Sequence, residues 1–464
     1  LLPLLSFFKV NDPFRLLFVA LYLLLIGVVG WIFFPVGLSK PLLQYLVLGE
    51  RLNEGMVLYR DVIDDIGPLS AGLFSLLDWI FGRNPIVYEI LGRVLIFLQA
   101  FYWNVMLIRY RVFQENTYLP ALIFTALFQI SFDLNYLSPQ LLGGTFLVFA
   151  LGQLFSQTVL QKETSESTLL IGLYGGIAAG FHLNYILFLP YLLLAGIAIS
   201  GFNFRQVILS LVGFIAPILL ILVFSFWNNS LSEIFTLFPF LFSYSKYPYV
   251  PWIQILAFIG LPFLLGFLGY VFSAFFAGST INQQKQRQLI FIWLIFGSLE
   301  FFLVKRQAPF QLGILFPSLV YLITAFFIHG GNNLLVRFAF LLIVFGLPAY
   351  GWWFWGSNSS NSYLISESIP HAEISGRKIL VWDNQPELYL NNSLGGPFLN
   401  PQLSSQLLAS ELSLSEKSTI YQAFTRQKPE FIFDNSGTFK AFLSEFPALQ
   451  KWYTEKEKGV FQLK

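Results

Sequence analysis

The sequence predicts a polytopic α-helical membrane protein, and three features of its composition carry that prediction. Hydrophobic residues make up 56% of the 464 residues, and charged residues make up only 11%. The mean hydropathy is +0.67. Apolar runs close to the ~20 residues needed to cross a bilayer recur along the chain. This composition excludes an ordinary soluble globular protein, and a net charge of +2 does not indicate nucleic-acid binding.

About eleven apolar stretches are predicted to cross the membrane. They are residues 16–34, 86–108, 118–132, 139–160, 169–181, 185–200, 206–227, 252–277, 289–304, 310–328 and 334–353. Residues 69–81 are also apolar, but the stretch is short and contains Asp78. It is therefore expected to lie in the membrane interface or to enter the bilayer only partway.

The basic residues predict the orientation of the chain. Lys9 and Arg15 precede the first span without a recognisable cleavage site, which predicts a cytoplasmic amino terminus. The connections that this orientation places inside contain Arg109, Arg111, Lys162, Arg205, Lys285, Arg287 and Arg337. An odd number of spans then places the carboxyl terminus outside. The exception is the pair Lys305 and Arg306, which falls in an outer connection.

The predicted first outer loop, residues 36–70, concentrates charge between apolar segments. It holds five acids (Glu50, Glu54, Asp61, Asp64 and Asp65) and three bases (Lys40, Arg51 and Arg60). Such density is costly beside a membrane unless the segment has a function, so we expect it to face a substrate. On a helical turn, Asp61 would share one face with Asp64 or Asp65. A solvated loop with a helix start at Asp65 is the alternative for these acids, and an exposed amphipathic face is the alternative for the two glutamates.

The residues after the last span change in character. Ser and Asn cluster in a predicted linker, residues 356–376. Residues 378–383, 430–434 and 459–463 are predicted strands, and residues 415–427 and 439–449 are predicted helices. The first of these helices should bury Ile420, Ala423 and Phe424 on one face. Residues 377–464 are therefore predicted to form a small α/β domain after a membrane domain of residues 1–355.

Four segments resemble the integral membrane glycosyltransferases of the GT-C group, which includes protein mannosyltransferase-like and aminoarabinose transferase-like enzymes. LGERLNEGMVLYRD at 48–61, followed by GPL at 67–69, is similar to their first outer loop. GLYGGIAAGFHLNYILFLP at 172–190 resembles their glycine-rich helix pair. KRQAPFQLGILFPSL at 305–319 resembles a later family segment, and residues 377–464 resemble the small outer domain of many members.

The resemblance implies a GT-C-like fold and a sugar donor linked to a polyprenyl phosphate, without a nucleotide. Its first loop aligns Asp61 with a family position, which makes Asp61 the best candidate for a catalytic base, with Asp64 and Asp65 beside it. Lys305 and Arg306, with Gln311 and His182, are expected to bind the carrier phosphate. Glu50, Glu54 and Tyr59 are expected to contact the acceptor or the sugar. No metal ligand is assigned, because the chain has no cysteine and its three histidines are far apart, but a divalent cation held by carboxylates is left open.

The sequence also departs from the family pattern at three positions. Ser39 and Lys40 stand where members carry an acid soon after the first span. His182 stands where the glycine-rich pair usually has a stronger base, and Phe310 and Gln311 replace a His-Tyr pair. These losses favour a second hypothesis, a catalytically inactive GT-C-fold protein that serves as a structural or assembly subunit of a cell-envelope complex.

Several other residues have competing interpretations. Lys305 and Arg306 can instead extend to lipid headgroups, and His182 can be a simple turn residue. Glu300 lies in an apolar span and is expected to pair with Lys305 or Arg306, while Arg93 is expected to pair with Glu89. Trp352, Trp353 and Trp355 match an interfacial aromatic belt, with sugar stacking as the sharper alternative. Asp383 and Asp434 end predicted strands and are expected to be structural.

The sequence therefore predicts a membrane glycosyltransferase-like protein that moves a sugar from a polyprenyl-phosphate carrier to an acceptor. The expected location is the bacterial cytoplasmic (inner) membrane, with the carboxyl-terminal domain in the periplasm. The expected partners are the bilayer and the carrier lipid, with protein partners at the periplasmic domain and the loop 228–251 in the subunit hypothesis. A flippase or transporter is a weaker hypothesis, because few charged residues lie within the spans and no repeat is evident.

Overall fold

The computed structural model describes residues 4–160, 165–241, 247–276, 278–331, 333–357, 363–365, 374–382, 385–409 and 413–464. The predictions for Lys162, His371, Asp383 and much of the linker lie outside these residues. The chain divides into two compact units. Unit 1 comprises Leu1–Val36, Tyr88–Leu219 and Pro248–Ser359, and unit 2 comprises Gly37–Val87, Leu220–Tyr247 and Ser360–Lys464. The predicted boundaries at residues 355 and 377 stay a prediction.

Helices dominate the described structure. The α-helices are Leu4–Lys9, Arg15–Phe33, Lys40–Asn53, Pro68–Phe81, Pro85–Arg109, Leu119–Phe128, Pro139–Leu160, Ser165–Phe181, Phe188–Ala195, Phe204–Trp227, Leu231–Leu241, Trp252–Val271, Ile281–Leu303, Phe316–His329, Leu334–Leu341, Leu347–Ser357, Pro401–Ala409, Leu414–Arg426, Phe439–Glu445 and Pro447–Gln450. Short 3-10 helices span Phe132–Asn135, Leu183–Leu187, Pro309–Leu315 and Pro386–Leu390, and π-helical turns span Gly196–Ser200, Phe272–Phe276 and Leu342–Gly346.

Within the described residues, nine helical spans are long and apolar enough to cross a membrane. They are Arg15–Phe33, Pro85–Arg109, Pro139–Thr158, Leu183–Ser200, Phe204–Trp227, Trp252–Phe275, Ile281–Leu303, Pro309–His329 and Leu334–Ser357. Two more predicted spans correspond to the shorter helices Leu119–Phe128 and Ser165–Phe181. Many large apolar side chains point outward, among them Phe204 at 80% exposed and Trp227 at 84% exposed. Such exposure is typical of lipid-facing surfaces, and the prediction of a polytopic helical membrane protein is confirmed.

In unit 1, two helices approach each other closely at a pair of glycines. A Cβ atom added to Gly172 would lie 1.9 Å from the carbonyl oxygen of Ser210. On the facing helix, a Cβ atom added to Gly213 would lie 2.4 Å from the carbonyl oxygen of Leu169. Small residues at membrane helix interfaces allow such close backbone packing. Gly172 belongs to the glycine-rich segment on which the family resemblance rests.

We expect Gly172→Ala to lower the free energy of unfolding by about 1–3 kcal/mol, because the added methyl group must displace packed backbone. The thermal midpoint of the purified full-length protein would measure the change. Gly260→Ala is the matched control, since a Cβ atom added there meets no atom within 4 Å. That variant should keep or slightly raise the midpoint. Equal midpoints for the two variants would rule out the close helix contact.

Unit 2 contains a mixed five-stranded sheet. Its strands are β3 (Lys378–Val381), β4 (Ser393–Leu394), β5 (Phe431–Phe433), β6 (Tyr453–Glu457) and β7 (Val460–Leu463). Two earlier strands of two residues each, β1 (Tyr247–Pro248) and β2 (Arg306–Gln307), are not part of this sheet. The strand order is β4-β3-β5-β7-β6. β3 pairs in parallel with β4 and β5, whereas β7 pairs antiparallel with β5 and β6.

The sheet and its helices confirm the predicted α/β character of the tail. The predicted strands at 378–383, 430–434 and 459–463 appear as β3, β5 and β7. The predicted helix at 415–427 is Leu414–Arg426, and it buries Ile420, Ala423 and Phe424 as expected. The sequence did not predict β4, β6 or the helix Pro401–Ala409, because these segments lack a clear hydrophobic period.

Helix Lys40–Asn53 occupies much of the predicted first loop, residues 36–70. This helix packs against helix Pro68–Phe81 so closely that a Cβ atom added to Gly49 would lie 2.6 Å from the carbonyl oxygen of Phe74. The loop also joins the carboxyl-terminal part of unit 2, since the backbone N–H of Ile63 donates to the carbonyl oxygen of Pro397 at 2.7 Å. Residues far apart in the sequence therefore build one compact unit.

Candidate functional site

Ser39 and Lys40, which stand where the resembled family carries an acid, both have structural partners in unit 2. Ser39 is the N-cap of helix Lys40–Asn53, and its hydroxyl accepts a hydrogen bond from the backbone N–H of Leu42 at 3.4 Å. The ammonium of Lys40 lies 3.3 Å from the carboxylate of Glu387. These two charged side chains are only 7% and 10% exposed. The two residues that depart from the family pattern, Ser39 and Lys40, therefore form a helix cap and a buried ion pair.

Glu50 lies near the end of the same helix and is held by residues of the tail. It forms an ion pair with Arg83, and it accepts a hydrogen bond from the hydroxyl of Ser393 at 2.9 Å. Arg83 also donates to the carbonyl oxygens of Tyr389 and Asn392, at 2.7 and 2.9 Å. Burial lowers the pKa of the Arg83 guanidinium to about 10. Glu50 thus links the first loop to the 3-10 helix and strand that follow residue 385.

Glu54 connects the first loop to the sheet. It forms an ion pair with Arg51, one turn earlier on the helix, and its carboxylate lies 3.5 Å from the ammonium of Lys378 in β3. The Arg51 side chain is fully buried, and this burial lowers its pKa. An exposed amphipathic face does not fully describe Glu50 and Glu54, because both glutamates pair with cations of unit 2. Their predicted contacts with an acceptor or a sugar stay a prediction.

Asp61 accepts hydrogen bonds from two arginines and from the backbone. Its Oδ1 accepts from Arg426 at 2.7 Å, and its Oδ2 accepts from Arg60 at 2.7 Å and from the backbone N–H of Val57 at 3.0 Å. The Asp61 side chain is 3% exposed, whereas that of Arg426 is 46% exposed. The carboxylate therefore joins the first loop to helix Leu414–Arg426, and one of its two cationic partners remains open to solvent.

The environment of Asp61 favours its ionised form. Burial alone would raise the pKa of this carboxyl group, but the hydrogen bonds from Arg60 and Val57 and the charges of Arg60 and Arg426 outweigh burial. The pKa of Asp61 is consequently lowered from its ordinary value. Such a group is a weak proton acceptor while both guanidinium groups remain in place.

Asp64 and Asp65 follow Asp61 in a segment that is not helical, so the expected shared helical face is wrong. The Oδ1 of Asp64 accepts from the backbone N–H of Asp65 at 2.6 Å, and Asp64 is fully buried. The next helix begins at Pro68 and not at Asp65.

Tyr59 shapes the turn that carries Asp61. Its backbone has a φ of +69°, which is uncommon for a residue other than glycine. Its backbone N–H donates to the carbonyl oxygen of Val62 at 2.8 Å, and its hydroxyl donates to that of Ile66 at 2.7 Å. Burial raises the pKa of the Tyr59 hydroxyl. These two bonds fix a strained turn beside the candidate base, as often occurs at functional sites.

A cavity of about 110 Å³ lies beside this turn within unit 2. Tyr59, Arg60 and Glu233 contribute to its wall, together with Glu416 and Thr419 of helix Leu414–Arg426. Arg60 is held toward this region by a hydrogen bond to the carbonyl oxygen of Asn228 at 2.8 Å. The cavity therefore combines hydroxyl groups, carboxylates and a guanidinium, which are suitable for binding a polar molecule.

The predicted phosphate-binding residues lie in unit 1. Lys305 and Arg306 follow helix Ile281–Leu303 and are 4% and 6% exposed. Gln311 belongs to the 3-10 helix Pro309–Leu315, and its amide donates to the carbonyl oxygen of Arg306 at 3.3 Å. The structure thus brings Gln311 next to Arg306, and both cations are more buried than side chains that extend freely to headgroups.

Asp133 is a buried acid that the sequence-based reasoning missed. It lies in the 3-10 helix Phe132–Asn135, and its Oδ1 accepts a hydrogen bond from the hydroxyl of Ser131. Its Oδ2 accepts from the backbone N–H of Phe310 at 3.0 Å. Asp133 therefore fixes the start of the segment that carries Gln311. A single acid between two predicted spans was the available signal.

His182 and Glu300 form a buried pair in unit 1. The Nε2 atom of His182 lies 3.2 Å from a carboxylate oxygen of Glu300, and its Nδ1 lies 3.5 Å from the side-chain amide of Gln140. The expected pairing of Glu300 with Lys305 or Arg306 is wrong among the described residues, because the turn after helix Ser165–Phe181 brings His182 to Glu300 instead. The predicted pair of Arg93 with Glu89 is present, at 2.7 Å.

The described residues contain no cluster of three or more His, Cys, Asp or Glu side chains that could hold a metal ion. Asp61 is already paired with two arginines, which makes its carboxylate a poor ligand for a divalent cation. Asp434 accepts hydrogen bonds from the backbone N–H groups of Gly437 and Phe439, which agrees with the expected structural role. The roles of the predicted site residues in binding and catalysis stay predictions.

Comparisons with known proteins show a similarity in fold. No protein-family profile matches the sequence, and no curated protein matches it by sequence. A solved structure does match, the crystal structure of ArnT from Cupriavidus metallidurans bound to undecaprenyl phosphate. The TM-score is 0.57 at 12% sequence identity, and the match covers 93% of this chain and 95% of that chain. The protein therefore has a GT-C-like fold, with membrane helices followed by a small carboxyl-terminal sheet.

Proposed function

We propose that this protein is a membrane glycosyltransferase that takes a sugar from a polyprenyl-phosphate carrier and transfers it to an acceptor. The observation that carries the proposal is the likeness, over 93% of the chain, to a protein crystallised with undecaprenyl phosphate. The reaction would occur at the outer face of the cytoplasmic (inner) membrane, with the amino terminus in the cytoplasm. The sheet of unit 2 would lie in the periplasm.

The carrier phosphate would bind to Lys305 and Arg306. Charge-assisted hydrogen bonds to phosphate are strong, and they gain strength where water is excluded. Both cations are at least nine-tenths buried, which supports this assignment. Gln311, held next to Arg306, would add an amide donor, and His182 would contribute a ring nitrogen.

Asp61 would act as the base that accepts a proton from the acceptor hydroxyl. Arg426 is one of the groups that lower the pKa of Asp61, so its withdrawal would make Asp61 a stronger base. Arg426 is 46% exposed, so it can move into solvent without breaking a packed core. The cavity beside Tyr59 would hold the acceptor, with Asp64 and Asp65 supporting the turn. Glu50 and Glu54 would orient this loop through their ion pairs.

Lys305→Gln should weaken binding of undecaprenyl phosphate by roughly tenfold or more, since a hydrogen bond to a charged group contributes about 1.5–3 kcal/mol. Native mass spectrometry of the purified protein with added undecaprenyl phosphate would measure the bound fraction. Lys285→Gln is the matched control, because Lys285 lies near the other end of the same helix, Ile281–Leu303. Equal affinities of the two variants would remove Lys305 from the phosphate site.

A specific observation also supports the second candidate, an inactive subunit of a cell-envelope complex. Ser39 and Lys40 serve as a helix cap and an ion-pair partner, and the Asp61 carboxylate is saturated by two arginines. In that case the loop 228–251 and the sheet of unit 2 would be docking surfaces. Co-purification with stoichiometric protein partners, without carrier binding or sugar transfer, would select this candidate over the transferase.

A further inference from the structure

A second cavity, of about 150 Å³, lies within unit 1. Its wall comes from helix Arg15–Phe33 and the residues after it, helix Pro85–Arg109, the turn at residues 129–136 and helix Leu347–Ser357. A cavity of about this volume is known to hold one six-membered benzene ring. None of the residues assigned above to the carrier, the base or the acceptor contributes to this wall.

One side of the cavity is polar. Glu89 accepts from the indole N–H of Trp31 at 2.7 Å and from Arg93 at 2.7 Å. Arg93 reaches the side-chain oxygen of Gln129 at 3.4 Å, and Gln129 donates to Asn135 at 2.9 Å. Glu89 and Arg93 are the charged residues among the described residues of the wall, and they neutralise each other. An anionic ligand would meet the Glu89 carboxylate, so this site favours a neutral polar ligand.

The other side of the cavity is aromatic. The ring of Trp352 stacks on Phe34, with centroids 4.8 Å apart and an interplanar angle of 7°. Phe132 packs edge-on against both Trp355 and Tyr136. Neither the indole N–H of Trp352 nor the hydroxyl of Tyr136 has a hydrogen-bond partner among the described residues. Two polar atoms therefore remain available at an aromatic wall.

We propose that this cavity binds the six-membered ring of a neutral sugar. A pyranose has apolar ring faces that pack on aromatic side chains and hydroxyl groups at its edge. The hydroxyl groups would accept from Trp352, bond with Tyr136 and use the remaining acceptor capacity of Glu89. The same ring chemistry occurs in a free sugar and in the headgroup of a neutral glycolipid. The inference does not rest on the proposed transferase function.

The test uses the full-length protein in lipid nanodiscs, prepared without sugar-based detergents. The two probes are methyl β-glucoside in solution and a monoglucosyl diacylglycerol within the nanodisc, and binding is measured by saturation-transfer NMR on each probe. Trp352→Leu should weaken binding roughly tenfold or more, as expected when one stacking and one hydrogen-bonding contact are lost. Trp353→Leu is the matched control, because Trp353 is 64% exposed and is not part of the cavity wall.

A third variant tests the site even if Trp352→Leu does not fold. Tyr136→Phe removes only a hydroxyl group, and it should also weaken binding while leaving the thermal midpoint close to that of the unchanged protein. Binding of the free glucoside would identify a soluble sugar as ligand, and binding of the glycolipid alone would identify a headgroup. Lys305→Gln should bind the probes normally, which separates this site from carrier binding. Failure of both probes to bind, or equal weakening by Trp352→Leu and Trp353→Leu, would overturn the proposal.

Discussion

Lys40→Met is expected to destabilise the protein by about 3–5 kcal/mol, the typical cost of removing one partner from a buried ion pair. The ammonium of Lys40 lies 3.3 Å from the carboxylate of Glu387, and these side chains are 7% and 10% exposed. Without Lys40, the Glu387 carboxylate stays in a poorly solvated position without this cation. The thermal midpoint of the purified full-length protein would measure the loss.

Two further variants test whether the buried ion pair itself causes this loss of stability. Lys40→Met combined with Glu387→Leu should recover most of the lost stability, because the second change removes the isolated charge. Lys378→Met is the matched control, since Lys378 is 49% exposed and pairs with Glu54 at 3.5 Å. Such an exposed pair contributes about 1 kcal/mol or less. If the two single lysine variants had the same midpoint, the buried pair would not be a major source of stability.

Asp61→Asn should reduce sugar transfer by about 10²–10⁴-fold if Asp61 is the base, because an amide cannot accept the proton. Arg426→Gln should keep or raise transfer, because it removes one of the cations that weaken Asp61 as a base. A readout of transfer with polyprenyl-phosphate-linked sugar, together with carrier binding in parallel, would separate loss of chemistry from loss of substrate. A structural role for Asp61 predicts instead that both variants lose activity to a similar degree.

The pH dependence of Asp61 provides an independent readout. Arg426 helps to lower the pKa of the Asp61 carboxyl group, so Arg426→Gln should raise that pKa toward its ordinary value. The acid limb of the transfer profile should then move to higher pH, since the base must be ionised. The same carboxyl group also affects the stability of the fold. Because the pKa of Asp61 is lower in the folded protein than in the unfolded chain, Asp61 stabilises the folded state at pH values above the unfolded pKa. This stabilisation is lost as the pH falls through the folded pKa. An acid limb that stays in place would contradict a catalytic Asp61.

Much of the membrane architecture could be predicted from local sequence patterns. The spans now seen as Arg15–Phe33, Pro85–Arg109 and Phe204–Trp227 were located to within a few residues, because an apolar run of that length has few other stable environments. The pair of Arg93 with Glu89 was also predictable, since residues four apart on a helix are neighbours. The three predicted strands of the sheet were found from short apolar runs.

The candidate site was only partly predictable. Asp61 was proposed from its match to a family position, and Lys305 and Arg306 were proposed because they break the expected charge distribution. The partners of Asp61 were not predicted. Arg426 is 365 residues away from Asp61 in the sequence, and nothing near Arg426 signals the contact. The same limit applies to Glu300, whose observed partner His182 is 118 residues away. The nearest cations along the chain, Lys305 and Arg306, were the wrong choice.

The sequence by itself determined that this chain spans a membrane many times and ends in a small α/β segment. Burial of apolar side chains follows short-range periodicity, which is written directly in neighbouring residues. Only the tertiary structure decided that Ser39 and Lys40 are structural and that the Asp61 carboxylate is held between two arginines. An ion pair depends on the distance between its partners in space, and the path of the chain sets that distance after the local elements have formed.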